Sequence, residues 1–134
     1  MLKSSLVILL MTLPALVHAD GTISGWVRKH GNIYPLHPVA IEVLDPLTGA
    51  AVPGLRTVNN PDGTYELSGI PEGNYKLYFD AFGQSRKYID ELSGNVQCDN
   101  GDCDRVRLGT VVNIDSGFKA AYVAGLIAHR AARL

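Results

Sequence analysis

The sequence predicts an all-β fold, a sandwich or barrel built from short strands. Apolar and polar residues alternate over short stretches, the period of a half-buried strand. Residues that favour turns, mainly Gly, Pro, Asn and Asp, interrupt these stretches at intervals of about 8 to 12 residues. No amphipathic helical pattern stands before the C-terminal tail. These observations together favour an all-β domain.

The N-terminal stretch has the pattern of a secretory signal peptide. Lys3 precedes an apolar run from Leu6 to Val17, and Ala19 supplies the small residue expected before a cleavage site. An uncleaved membrane anchor is the alternative, but a span needs roughly 20 apolar residues. We therefore expect cleavage after Ala19 and a periplasmic or extracellular location.

The 134 residues are enough for one domain, which we expect at residues 20–126, followed by a tail at residues 127–134. Twelve basic and 13 acidic residues nearly balance, which argues against nucleic acid as a partner. No later apolar run is long enough to span a membrane. The expected partners are a protein or a carbohydrate of the cell envelope, with no cofactor, and the oligomeric state stays open.

Alternation predicts four strands before the centre of the chain. Gly25 interrupts the first of them, which indicates a bulge or a close neighbour at that point. The predicted strands are Thr22–Arg28, Val39–Asp45, a short edge strand Ala50–Leu55, and Arg56–Val58.

The centre of the chain predicts a β-hairpin with one apolar face. The triplet Pro61-Asp62-Gly63 favours a tight turn before the first strand. A second turn, Ile70–Gly73, separates the two strands. The residues expected to face inward are Tyr65, Leu67, Tyr75, Leu77 and Phe79, and those expected outward include Lys76 and Tyr78.

The second half of the chain is less regular. It predicts a short strand at Arg86–Ile89, a polar loop at Asp90–Asp104, and strands at Arg105–Leu108, Thr110–Ile114 and Phe118–Leu126. Val112 and Ile114 are expected to face inward. The tail has a composition compatible with a short or frayed helix.

Cys98 and Cys103 are the only cysteines. In an exported chain such a pair predicts a structural disulfide, and the short loop it closes gives a stabilisation of about 2 kcal/mol.

Three acids, Asp99, Asp102 and Asp104, surround this cysteine pair. Carboxylate oxygens are calcium ligands, so the cluster is a calcium candidate. Its spacing does not match an EF-hand, and a solvated acidic turn is the alternative.

Three aromatic residues are candidates for ligand or partner binding. Alternation places Trp26 and Tyr78 away from the predicted core, and Tyr34 lies in the loop after the first strand. An exposed aromatic ring can stack on a sugar or anchor a protein partner. The alternative is that Trp26 packs beneath the loop at residues 29–38.

Four runs carry a resemblance to a known family: Gly21–Val27, Pro38–Val43, Asp62–Tyr65 and Gly69–Tyr75. They resemble the carboxypeptidase regulatory-like domain, which is grouped with prealbumin-like and Cna protein B-type sandwiches. The resemblance implies a two-sheet Greek-key β-sandwich of about seven strands. Phe79 stands where related adhesins carry the acid that assists an internal cross-link, so the resemblance does not imply that cross-link here.

The resemblance also implies a non-catalytic role in binding or structure, such as adhesion, cell-envelope assembly or an accessory module. A carbohydrate-binding module using Trp26, Tyr34 and Tyr78 is the alternative within binding proteins. The alternative from another class is a transthyretin-like hydrolase, although the C-terminal motif of that enzyme is missing. No residue is predicted to be catalytic.

Overall fold

A computed structural model describes residues 20–82, 87–98, 103–115 and 120–128. Ten strands in these ranges form two sheets packed face to face, so the predicted all-β two-sheet sandwich is confirmed. The strands are β1 (Gly21–Lys29), β2 (Ala40–Leu44), β3 (Ala51–Val58), β4 (Thr64–Ile70), β5 (Gly73–Asp80), β6 (Asp90–Leu92), β7 (Val96–Cys98), β8 (Val112–Ile114), β9 (Ala120–Tyr122) and β10 (Gly125–Ile127).

The first sheet contains β4, β1 and the pair β9 and β10. β4 lies antiparallel to β1, and both β9 and β10 run parallel to it along the opposite side. The second sheet has the order β3-β2-β5-β6-β7, and β8 pairs with the start of β5. Two strand positions are therefore divided in two, so the ten described strands occupy eight positions, one more than the expected seven.

The core lies between the two sheets. Ile23 and Val27 from β1 and Ile41 and Val43 from β2 are fully buried there, as their alternation predicts. Val112 and Ile114 of β8 also face this core, as expected. A smaller cluster covers the opposite side of the second sheet, and its buried members are Leu44, Tyr78, Leu92 and Cys98.

The predicted central hairpin is wrong, because β4 and β5 belong to different sheets. β4 pairs with β1, whereas β5 pairs with β2. The turn between them crosses from one sheet to the other, so their apolar rows face each other across the core. The rings of Tyr65 and Phe79 meet there edge to face, with centroids 6.1 Å apart.

Other boundaries also differ from those predicted. The two short strands predicted at Ala50–Leu55 and Arg56–Val58 form one strand, β3, which continues past Pro53. Its residues Val52 to Leu55 bulge opposite the single residue Val43 of β2. The predicted polar loop contains the β6–β7 hairpin. The strand predicted at Arg105–Leu108 is a turn closed by a Leu108 N–H to Asp104 O hydrogen bond of 2.9 Å.

The last predicted strand is divided into β9 and β10, with residues 123 and 124 between them. The signal peptide at residues 1–19 and most of the tail, from residue 129 onward, lie outside the described residues, as do parts of the strands predicted at Arg86–Ile89 and Phe118–Leu126. The described ranges include no helix with the length and apolar character to cross a membrane.

Asn59 joins two loops at one end of the sandwich. Its Oδ1 accepts the Val39 N–H at 2.9 Å and lies 3.1 Å from Nδ1 of His37. Its Nδ2 donates to the Leu36 carbonyl at 2.7 Å and to the Gly63 carbonyl at 3.4 Å. The side chain is 3% exposed, so its bonds to Val39 N–H and the Leu36 carbonyl take the place of bonds to water.

Replacing Asn59 by aspartate is expected to lower the free energy of unfolding by about 2 to 3 kcal/mol. Aspartate keeps the acceptor for Val39 but places a charged oxygen against the Leu36 carbonyl. Urea denaturation measures the change. Asn60→Asp is the matched control, because Asn60 is exposed and should lose less than about 1 kcal/mol. Equal losses in the two variants would contradict a tying role for Asn59.

Candidate functional site

The outward side of the first sheet is the candidate binding surface. We call it the outer face, and it consists of Thr22, Ser24, Trp26 and Arg28 of β1, Thr64 and Glu66 of β4, and Tyr122 of β9. Register places Ser24 between Glu66 and Tyr122, and Trp26 beside Thr64. Because strand side chains alternate, these residues lie opposite the core-facing Ile23 and Val27. In the described structure no other layer of strands covers this side.

Trp26 is half-buried rather than fully exposed. The guanidinium carbon of Arg28 lies 3.8 Å from the centroid of its ring. Such a cation–π contact contributes about 0.5 to 1 kcal/mol at an exposed site. A ligand that stacks on this side of the indole would have to displace Arg28.

Tyr34 is 64% exposed but lies away from the outer face. Its carbonyl accepts the Lys29 N–H at 3.0 Å. Arg28 and Pro35 form an isolated antiparallel β-bridge. Alternation from that bridge assigns Tyr34 to the side of the strand opposite Trp26. The structure therefore does not bring Tyr34 and Trp26 onto one surface.

Tyr78 is 4% exposed, so its predicted outward exposure is wrong. The chain after β7 folds over this side of the second sheet, and the Arg105 guanidinium carbon lies 4.3 Å from the centroid of the Tyr78 ring. The hydroxyl donates to Asp90 Oδ2 at 2.8 Å. Burial, together with this hydrogen bond, raises the pKa of Tyr78. Its side chain is part of the small cluster and cannot receive a ligand without rearrangement.

Lys76 was also predicted outward, and it is 3% exposed. Its Nζ donates to the Arg105 carbonyl at 3.1 Å and to the Val106 carbonyl at 2.7 Å. The ammonium thus holds the turn that follows the disulfide against β5. The same covering segment explains the burial of both Lys76 and Tyr78.

The aromatic residue that sequence reasoning missed is Tyr122, which is 65% exposed on the outer face. Alternation within the predicted last strand would have placed Ala120 and Tyr122 on one side. The sequence did not indicate that this strand lies beside β1, and therefore did not connect Tyr122 with Trp26.

The predicted disulfide is confirmed, with Cys98 and Cys103 bonded and their Cα atoms 4.9 Å apart. Of the calcium candidates, Asp99 and Asp102 lie outside the described residues. The Asp104 Oδ1 accepts the N–H groups of Arg107 and Val106, each at 3.0 Å. The bonds from Arg107 and Val106 lower the pKa of Asp104. Asp104 therefore closes a turn, and the described residues contain no group of three potential ligands suited to a metal.

A buried carboxyl, Glu91, was also missed. It lies opposite Phe79 in the pairing of β5 with β6, and it is 2% exposed. The backbone N–H of Leu126 bonds the carboxyl, while Oε1 has no hydrogen-bond partner among the described residues. Burial raises the pKa of Glu91 to about 7.

A cavity of about 350 Å³ opens at one end of the sandwich. It lies between the turn that joins β2 to β3 and the start of β5. Its lining residues are Asp45, Pro46, Leu47, Val52, Asn74 and Tyr75. This lining includes no histidine and no arginine, so the cavity lacks the convergence of those residues expected for a transthyretin-like hydrolase.

Sequence comparison does not assign a family: no family model matches the chain, and no curated protein matches it. Solved structures do resemble it in fold. The major pilin subunit BcpA of Bacillus cereus is 14% identical, with a TM-score of 0.51 over 81% of this chain and 30% of the pilin. A 9R-lipoxygenase from Cyanothece is 12% identical, with a TM-score of 0.40 over 81% of this chain and 16% of the enzyme.

The chain thus spans less than a third of the pilin subunit and a smaller share of the lipoxygenase. The lipoxygenase similarity is too low to bear on function. The similarity to the pilin concerns fold alone, because the sequence identity is low. Together with the two packed sheets, it shows that this chain has a β-sandwich fold related to that of the pilin subunit.

Proposed function

We propose that this protein is an exported, non-catalytic module with a structural or adhesive role in the cell envelope. The observation that carries the proposal is that buried polar side chains hydrogen-bond to the backbone of distant segments and hold them together. Asn59 and Lys76 each bond backbone groups of segments distant in sequence. The Ser93 hydroxyl donates to the Thr110 carbonyl at 2.6 Å and accepts the Leu77 N–H at 3.2 Å. Satisfied networks of this kind favour one arrangement of loops, which suits a module that presents a fixed surface.

Export is supported by the disulfide, which persists in oxidising compartments. The basic and apolar start of the chain supports it as well. We accordingly propose that residues 1–19 are removed and that the mature domain begins at residue 20. The predicted domain end at residue 126 is one residue early, because Ile127 belongs to β10 and is fully buried, so the tail follows β10. The two-sheet fold supports placing this domain with the carboxypeptidase regulatory-like modules that its sequence resembles.

We place the partner on the outer face. Tyr, Trp and Arg are the residues most enriched at energetically important positions of protein interfaces. Trp26, Arg28 and Tyr122 share this face, and the small side chains of Thr22 and Ser24 leave it open between them. A protein component of the cell envelope is the occupant we favour.

Replacing Tyr122 by alanine is expected to reduce recovery of that partner at least tenfold, or about 1.4 kcal/mol of binding free energy. The tagged protein is expressed from its complete sequence, cross-linked in its own cell envelope and recovered. Tyr34→Ala is the matched control, because Tyr34 is equally exposed but lies off the outer face. A partner recovered equally with both variants, or no partner at all, would contradict the proposal.

Carbohydrate binding is the second candidate, and a specific observation favours it. Trp26 and Tyr122 lie on one face with the hydroxyls of Thr22 and Ser24, which can bond sugar hydroxyls. Arg28→Ala separates the two candidates, because it uncovers the indole. Affinity electrophoresis in envelope polysaccharide should show tighter binding by this variant if sugar stacks on Trp26. A loss of protein recovery in the same variant would favour the protein partner.

A further inference from the structure

The cavity at the end of the sandwich is a second site, separate from the outer face. Its volume of about 350 Å³ is at the lower end of the range of about 300 to 1,000 Å³ found for small-molecule sites. The cavity therefore fits a small group or one side chain of a larger partner.

The walls of the cavity are largely apolar: the inner wall packs against the core, whereas Leu47 is 83% exposed. Tyr75 packs partly against the core, and its hydroxyl donates to the Pro71 carbonyl at 2.6 Å. Val52 packs against the same core, and Pro46 and Leu47 complete the walls. Such walls accept an alkyl chain, and the Tyr75 ring can contact a cation.

The charged group in the lining is Asp45. Its Oδ1 accepts the Leu47 N–H at 2.8 Å. Across the turn, the Asp45 N–H donates to the Ala50 carbonyl at 2.9 Å, and the Asp45 carbonyl accepts the Gly49 N–H at 2.8 Å. The carboxylate is therefore held in one place at the cavity. In the described part of the chain, no basic side chain forms an ion pair with it.

Asn74 is the uncharged amide of the lining, and its oxygen is already occupied. Asn74 Oδ1 accepts the Asn113 side-chain amide at 2.7 Å, which orients Asn74 in the lining. The Asp45 carboxylate, which has no ion-pair partner among the described residues, disfavours an anion here.

We propose that this cavity binds a primary ammonium group carried on a short alkyl chain, with Asp45 as the counter-ion and Pro46, Leu47, Val52 and Tyr75 around the chain. A lysine side chain of a partner protein and a free alkylamine share this chemistry. The ammonium gains a charge-assisted hydrogen bond from Asp45, and the alkyl chain leaves water. This site does not depend on the use of the outer face.

Titration with n-butylammonium tests the proposal. The protein is expressed from its complete sequence with ¹⁵N, and amide shifts at Leu47, Val52 and Tyr75 are followed. We expect saturable binding with a dissociation constant of about 1 to 10 mM, and at least tenfold weaker binding of n-butanol, which has no charge.

Asp45→Asn is the decisive variant, because asparagine keeps the Oδ1 acceptor for Leu47 and removes only the charge. It should weaken butylammonium binding at least tenfold. Asp62→Asn is the matched control: Asp62 bonds Thr64 N–H two residues on, at 2.9 Å, in a turn outside the cavity lining, and this variant should bind within twofold of the unchanged protein. Butylammonium binding unaffected by Asp45→Asn, or no tighter than that of n-butanol, would overturn the proposal.

A second ligand distinguishes a lysine side chain from a free alkylamine as the source of the ammonium group. Nα-acetyl-lysine N-methylamide carries the same group on a peptide backbone. Binding as tight as that of butylammonium supports a lysine side chain as the occupant. Binding at least tenfold weaker, with butylammonium still dependent on Asp45, supports a free alkylamine. Either result leaves the outer-face experiment with Tyr122→Ala independent, since Tyr122 does not line this cavity.

Discussion

Gly25→Ala is expected to destabilise the fold by about 3 kcal/mol or more. A Cβ at this position would lie 1.9 Å from the Val123 carbonyl oxygen and 3.0 Å from Cε1 of Tyr65. The oxygen cannot retreat freely, because it accepts the Tyr65 hydroxyl at 2.5 Å. The Val123 N–H also donates to the Ser24 carbonyl at 2.8 Å. The substitution therefore pushes apart β1 and the divided strand β9 and β10.

Urea denaturation of the variant measures this loss, and Gly54→Ala separates its cause from backbone strain. Gly54 has φ +79°, but no atom lies within 4 Å of a Cβ built there. Its substitution should cost only the strain of the left-handed conformation, about 1 to 2 kcal/mol. If Gly25→Ala cost less than Gly54→Ala, the strands around Val123 would have to move apart with little resistance.

Gly25 also illustrates what the sequence can and cannot predict about this fold. A glycine inside an alternating stretch indicated a close neighbour, and the structure has one in Val123. The identity of that neighbour is non-local and left no signal near Gly25. The same limitation applies to predicting how the apolar rows that contain Tyr65 and Phe79 pair. Alternation identifies the buried face of each strand, but the same pattern fits a hairpin and two strands that face each other across a core.

The features of the candidate sites likewise divide into those that the sequence predicts and those that depend on non-local contacts. The disulfide was predictable because the spacing of the cysteines and the pattern of a signal peptide can both be read from the sequence. The burial of Lys76 and Tyr78 was not, because it depends on a later segment that folds back over β5. Tyr122 joins Trp26 only through the pairing of β1 with β9. Asp45 faces a cavity whose other walls come from β3 and β5.

The burial of Glu91 also depends on non-local pairing, and it makes the free energy of unfolding depend on pH. In the folded protein burial raises its pKa from the ordinary 4.5 to about 7. The folded state therefore holds the proton more tightly than the unfolded chain does. Between these pH values the unfolded chain binds fewer protons, so the free energy of unfolding falls as pH rises. Asp80 contributes with the same sign, because burial and then the charge of Asp90 raise its pKa.

Glu91→Gln is therefore expected to remove most of the fall in stability between pH 4.5 and pH 7, which amounts to at most about 3 kcal/mol. Glutamine keeps an oxygen for the Leu126 N–H and carries no charge at any pH. Urea denaturation across this interval measures the slope, and comparison with the unchanged protein cancels the part due to Asp80. Glu72→Gln, the same change at an exposed position, should leave the slope unaltered. Parallel slopes in Glu91→Gln and the unchanged protein would mean that folding does not favour the protonated Glu91 carboxyl.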